Sequence, residues 1–141
     1  MIKEKLEDYM QSSFAKSIIE LKLASDRIVE GRGDGSGIFT VRYQILYLIA
    51  SNKKTSPQDI IYELKMAKSN LALIAGKMIE DGLIFSQKEE GNRKQIFYYI
   101  TEKGKKELAT KMQAIDNMQT KESKEMIANL SKTVQSLKNV K

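Results

Sequence analysis

Between residues 65 and 77 the chain gathers Lys65, Lys68, Ser69, Asn70, Ala72, Leu73 and Lys77. The spacing predicts a helix over Ala67–Asp81 with Leu71, Ile74, Met78 and Ile79 turned inward, which leaves most of these residues facing out. An Asn amide can pair bidentately with an adenine edge, and Lys can reach guanine or a phosphate. Ser donates readily to phosphate, and Ala or Leu can meet a thymine methyl. A second group, Lys88, Asn92, Arg93 and Lys94, falls at the tip of a predicted hairpin. Cations there can reach the minor groove or the backbone of a duplex. Glu89 and Glu90 share that tip and must point away from phosphate. Ser56 and Lys65, at the two ends of the preceding short helix, complete the candidate contact set. Each group alone is ordinary, since helical hairpins with surface lysines and basic turns are common. Their ordered conjunction carries the reading.

Other chemistries are narrowed by what the chain lacks. Its 141 residues include no Cys and no His. That excludes Cys–His nucleophiles, a Ser-His-Asp triad, disulfides, thiol redox sensing and a structural zinc site. No paired acids have a reason to share a cleft, so no enzyme, metal site or cofactor is expected. The formal net charge is +6, which favours polyanionic partners through counterion release. The start, Met1 to Asp8, is charged and amphipathic rather than a secretory signal. No apolar run approaches the ~18–20 residues of a membrane span. A cytoplasmic protein with no membrane partner is expected. Tyr9, Phe14, Tyr43 and Tyr47 are candidate ligand-pocket residues, although core packing would account for each of them.

The elements that must position these groups can be read along the chain. Ile2, Leu6, Tyr9, Phe14, Ile18, Leu21 and Ile28 keep helical spacing through one predicted helix over 2–30. Its long apolar face asks for a partner surface that a small domain can hardly supply. Gly31 to Gly37 holds four of the eight glycines and ends that helix as a loop. Neither a phosphate-cradling motif nor the Arg32-Gly33-Asp34 tripeptide accounts for it better.

Thr40 is the expected cap of a helix over Val41–Ser51, with Ile45, Leu46, Leu48 and Ile49 core-like. Ser56-Pro57-Gln58-Asp59 is the strongest helix start, with a hydroxyl cap, Pro in the first position and a carboxylate in the third. Ile60, Ile61 and Leu64 follow as its buried stripe. Gly82 closes the helix after the turn. Strands are predicted at Leu83–Lys88 and Arg93–Ile100. Thr101 caps a helix with Leu108, Met112, Ile115 and Met118, and Thr120–Ser123 reads as a bend. Ile127, Leu130, Val134 and Leu137 form a last amphipathic stretch. The dimensions of 56–81 are those of a helix-turn-helix.

From Phe39 to Leu108 the sequence resembles the multiple antibiotic resistance regulator (MarR) family. The stretch Leu64 to Ile84 looks like that family's turn, recognition helix and first wing strand. Tyr98-Tyr99-Ile100-Thr101-Glu102-Lys103-Gly104 is similar to its Leu-x-Leu-Thr-x-x-Gly, and Asn92-Arg93-Lys94 falls where Asp-Arg-Arg is usual. Three departures stand out: Lys65 at a common turn Gly, Leu73 at a frequent base-reading Arg, and Asn92 at the wing Asp.

The resemblance implies a mainly α (α+β) single domain over 1–141. Dimerisation helices would occupy 1–30 and 105–141, and a winged helix-turn-helix lobe with a two-stranded β-wing would occupy 38–104. It implies a homodimer that binds pseudo-palindromic double-stranded DNA as a transcriptional regulator, a repressor released by a small-molecule effector. The alternative is a winged-helix protein-interaction module without DNA reading.

Overall fold

The computed structural model describes residues 2–30, 40–89, 91–117 and 123–140, with side chains described for 6–25, 40–89, 91, 95–117 and 125–140. The predicted loop at Gly31 to Gly37, Glu90 in the wing turn, and most of the bend at Thr120–Ser123 lie outside the described residues. So do the side chains of Asn92, Arg93 and Lys94. In chain order the elements are α1 (Ile2–Gln11), α2 (Phe14–Glu30), α3 (Val41–Ser51), α4 (Pro57–Leu64), α5 (Lys68–Glu80), β1 (Ile84–Glu89), β2 (Asn92–Ile100), α6 (Glu102–Asp116) and α7 (Ser123–Lys138). This is a mainly helical fold with a two-stranded wing, as expected.

The N-terminal segment departs from expectation. The single helix predicted over 2–30 is two helices, broken at Ser12 and Ser13. One hydroxyl does both jobs at the break. Ser13 Oγ donates to Tyr9 O at 2.9 Å, closing α1, and accepts from Lys16 N at 3.0 Å, opening α2. Serine competes with the helical ladder in this way wherever its side chain can reach the backbone.

The central lobe is built on well-marked ends. In α4, Ser56 Oγ accepts from Asp59 N at 3.2 Å, and Ser56 N donates to Asp59 Oδ2 at 2.9 Å. This is a complete capping box, with Pro57 in the first turn. Thr40 stands at the N-cap of α3 but makes no side-chain cap bond to that helix. At the end of α5, Gly82 has φ +77°. Gly82 N donates to Ile79 O and Leu83 N to Met78 O, each at 3.0 Å, which is the pair of bonds of a Schellman motif. The motif turns the chain so that Leu83, fully buried, enters the core.

β1 and β2 pair antiparallel, with Ile84 opposite Ile100, Ser86 opposite Tyr98 and an irregularity at Lys88/Glu89. Tyr98 N donates to Thr55 O at 2.8 Å, joining the sheet to the segment before α4. The alternation of a strand puts Ile84, Ile96, Tyr98 and Ile100 on one face. They pack on a core of Ile45, Leu46, Ile49, Ile60, Leu71, Ala75, Met78, Leu83 and Leu108. Ile79 is not part of it: the side chain is 40% exposed, and Ala75 takes the inward place. The buried arc of α5 is centred on Leu71, Ala75 and Met78, and one step of about 100° carries Ile79 past its edge.

One knot joins α5, the wing and α6. Thr101 Oγ1 accepts from Gly104 N at 2.9 Å and donates to Gly82 O at 2.6 Å, with Leu83 O at 3.0 Å. Thr101 N also donates to Leu83 O at 3.0 Å. Gly104 lies so close that an added Cβ would collide with Leu83 O and stand 2.8 Å from Ile100 Cγ1. The Thr-x-x-Gly spacing is therefore a packing requirement as well as a cap.

Outside the lobe, apolar side chains stay exposed. Leu6, Tyr9, Met10, Phe14, Ile19 and Leu23 on α1 and α2, and Met126, Ile127, Leu130 and Val134 on α7, are each at least 42% exposed. No helix among the described residues is long and apolar enough to cross a membrane.

Candidate nucleic-acid interface

α4 and α5 meet at a turn whose geometry is set by Lys65. Its φ of 53° and ψ of 45° put it in the left-handed region, alone among the described non-glycine residues. Its N–H donates to Ile61 O and closes α4. A glycine would meet the same backbone demand without strain, whereas it costs an L-residue roughly 1–2 kcal/mol. Lys65 Nζ rests 4.6 Å from the centre of the Tyr62 ring.

With its inner face committed to the core, α5 presents the opposite face to solvent. Lys68, Ser69, Asn70, Ala72, Leu73, Gly76 and Lys77 are all exposed. The row Ser69, Leu73, Gly76 and Glu80 follows the middle of that face at spacings of four, three and four. Ala67 opens α5 with no side-chain cap bond. Lys68 and Ser69 are the first two residues of α5, at the positive end of its dipole, an arrangement that suits an anion.

The far end of α5 is anchored. Arg42 Nη1 pairs with Asp81 Oδ2 at 2.8 Å, and Lys103 Nζ donates to Asp81 O at 2.7 Å. Two cations at a helix C-terminus also complement its negative end. Ser56 differs from the other candidates. It is 6% exposed and its hydroxyl is engaged in the capping box, so its place in the site is to orient α4.

The wing lies beside α5 in the chain and shares its core. Lys88 is exposed. The backbone of Asn92, Arg93 and Lys94 forms the first part of β2. Glu89 is held by Lys54, Nζ to Oε1 at 2.5 Å, while the same ammonium lies 5.0 Å from the centre of the Phe97 ring. The hydrogen bond to Glu89 and its negative charge hold the Lys54 pKa above its ordinary value. A carboxylate that would oppose a polyanion is thus tied back toward the α3–α4 turn. On the outer side of the wing Phe85 stacks on Tyr99, ring centres 5.4 Å apart.

A cleft of about 400 Å³ opens behind the lobe, lined by Gln44, Tyr47, Leu48, Leu64, Met112, Ile115 and Asp116. Of the four aromatic residues expected at a pocket, Tyr47 lines this cleft. Tyr43 faces a separate hollow with Lys106, Glu107, Thr110 and Lys111. Its hydroxyl donates to Glu107 Oε2 at 3.2 Å, and burial together with that carboxylate raises its pKa. Tyr9 and Phe14 stand exposed on α1 and α2. The sequence reading gives Leu48, Leu64, Met112 and Ile115 only as helix-face or core positions and does not single out Gln44 or Asp116. The lining residues come from three separated segments, and no local pattern links them.

Residues 41–118 match the family model described as a winged helix DNA-binding domain. The chain belongs to that family. Its fold is also that of the MarR regulators. The apo form of wild-type MarR from E. coli superposes with a TM-score of 0.63 at 13% identity, over 87% of this chain and 97% of that one. The transcriptional regulator BldR from Sulfolobus solfataricus gives 0.59 at 14% identity, over 89% and 99%. Overoxidized AbfR, solved bound to DNA, gives 0.60 at 17% identity, over 97% and 99%. No curated protein matches the sequence.

Proposed function

We propose that this protein is a sequence-specific double-stranded DNA-binding transcriptional regulator that acts as a homodimer on a pseudo-palindromic operator. One observation carries the reading. α5 is locked from behind by the core, the Schellman turn and the Asp81 anchors, while its outer face stays exposed next to the wing. A rigid helix with an uncommitted outer face that carries polar and cationic side chains is the part a major groove accepts. Lys65, Lys68, Ser69, Asn70, Ala72, Leu73 and Lys77 are its proposed contacts, with Lys88, Asn92, Arg93 and Lys94 for the wing. The exposed apolar faces of α1, α2 and α7 support residues 1–30 and 105–141 as dimerisation helices, because such faces seldom remain in water over this length.

Repression released by a small molecule is the mode of action we favour. The cleft supports it through Leu64, which both lines the cleft and ends α4 one residue before the Lys65 turn. A ligand that displaces Leu64 acts directly on the seat of α5. A regulator of this kind works where the DNA is, which makes the cytoplasm the expected compartment.

Fluorescence anisotropy with duplexes from the region upstream of the protein's own gene tests the central claim. Binding is expected with two half-sites about one helical turn apart. The affinity is expected to fall steeply with salt, by ~0.9 log units per log unit of salt for each phosphate neutralised. Absence of binding at low salt to any genomic fragment refutes it. Light scattering after gel filtration reads the dimer.

A further inference from the structure

Leu73 is the most exposed large apolar side chain among the described residues, at 76%. It stands in the second turn of α5, on the middle of the outward face. Of its neighbours on the helix surface, Ser69 and Gly76 are short and Asn70 and Lys77 are polar, and a Cβ added at Gly76 would meet nothing within 4 Å. The surface is a branched aliphatic knob in a shallow surround. Lys68 precedes it and Lys77 follows it, both exposed.

One feature points this knob at a duplex rather than at a protein. A protein hot spot sits within a broad apolar surround that excludes water, whereas the neighbours of Leu73 on the helix are Ser69, Asn70, Gly76 and Lys77, with Lys68 one turn earlier. Glu80 ends the row, and its carboxylate disfavours phosphate, so the N-terminal half of α5 is the part that can lie deep. The apolar group on the major-groove edge of a base pair is the 5-methyl of thymine. The short neighbours let the helix backbone approach until Leu73 meets it.

Resting on the function proposed above, we propose that Leu73 reads a thymine through its 5-methyl group, so that each half-site carries an A·T pair beneath the second turn of α5. Preference at that position comes from an apolar contact rather than from a charged donor.

The test uses the full chain. A preferred site is selected from random duplexes, and each thymine is then replaced singly by deoxyuridine, which removes the methyl and nothing else. One position per half-site is expected at which the replacement lowers affinity about fourfold, the ~0.8 kcal/mol of one buried methylene-sized group. Leu73→Ala is expected to bind the thymine duplex more weakly and to bind thymine and deoxyuridine duplexes equally at that position. Leu73→Met, which still fills the space, retains the sensitivity. Since Leu73 is exposed and Ala suits a helix, the Ala variant keeps its circular dichroism and melting temperature.

Wild-type protein indifferent to every deoxyuridine, Leu73→Ala as sensitive as wild type, or Leu73→Ala with unchanged affinity would each overturn the proposal. Failure to select any duplex overturns the DNA-binding reading itself, and the proposal with it.

Discussion

Among the described residues two glycines, Gly76 and Gly104, lie inside helices, and alanine at each is expected to act in opposite directions. At Gly104 a new Cβ would overlap Leu83 O and stand 2.8 Å from Ile100 Cγ1. Leu83 O cannot simply retreat, because it accepts from Thr101 N and lies within 3.0 Å of Thr101 Oγ1. Either the first turn of α6 or the start of β1 must shift. Overpacking of this kind costs about 1–3 kcal/mol. Loss of the Thr101 cap costs about 1 kcal/mol more. The better helix propensity of Ala returns about 1 kcal/mol. Gly104→Ala should therefore lose about 1–3 kcal/mol.

At Gly76 the new methyl meets nothing within 4 Å, and only the propensity gain of about 1 kcal/mol remains. Urea unfolding at one fixed protein concentration reads both, since association would otherwise shift the midpoints. The two midpoints should fall on opposite sides of wild type with unchanged slope. Gly104→Ala at wild-type stability would refute the packing role of the knot. A destabilised Gly76→Ala would mean that the outer face of α5 is already covered.

Other expectations follow from the same geometry. Lys65→Gly should leave stability within about 1 kcal/mol of wild type, because relief of the left-handed backbone is offset by unfolded-state entropy. Lys65→Val, β-branched at positive φ, should lose more than 1 kcal/mol by the same assay. Glu89→Gln frees Lys54, so the affinity for DNA should rise and the salt dependence should steepen by about one phosphate contact in an anisotropy titration. Tyr43 and Tyr98 both have pKa values raised above 10.0, the first by burial and Glu107, the second by burial. A raised pKa favours the protonated form in the folded state. The stability it brings is therefore complete below the ordinary value and is lost as the pH climbs through the raised one. Unfolding midpoints should fall above about pH 10, where both phenols ionise first in the unfolded chain. Phenolate absorbance should appear at lower pH in urea than in buffer, and identical titrations would contradict the burial of Tyr98.

How much of this was legible in the sequence depends on the range of the interaction. The α4 start was readable because Ser56, Pro57 and Asp59 act on backbone groups within three residues. Gly82 and Thr101 were readable for the same reason, and the strand alternation of Ile96, Tyr98 and Ile100 located β2. The break at Ser12–Ser13 was hidden because the apolar spacing of Tyr9, Phe14 and Ile18 continues across it. Only the hydroxyl of Ser13 interrupts the ladder, and periodicity does not register a hydroxyl. Ile79 was assigned inward because its spacing from Leu71 and Ile74 allows it, and only the packed core decides where the buried arc ends. The tie between Lys54 and Glu89 joins positions 35 apart, which no local rule pairs. In the candidate interface the outward set on α5 was legible. The cleft is only partly so, since Tyr47 stands out as a pocket candidate whereas Leu64 reads as part of a buried stripe.

The knot at Thr101 has one more consequence. It pins the chain at Gly82 and Leu83 on one side and at Thr101 and Gly104 on the other, so the stretch between them is a loop with both ends fastened. Among the described residues its far end is held by the Lys54–Glu89 pair at the α3–α4 turn, and a Cβ added at Gly91 would meet nothing within 4 Å. Lengthening a fastened loop costs only about (3/2)RT ln of the length ratio. The outer wing is therefore an exchangeable cassette. Its reach and composition can be rewritten, by selection or by design, while the seat of the reading helix stays as it is.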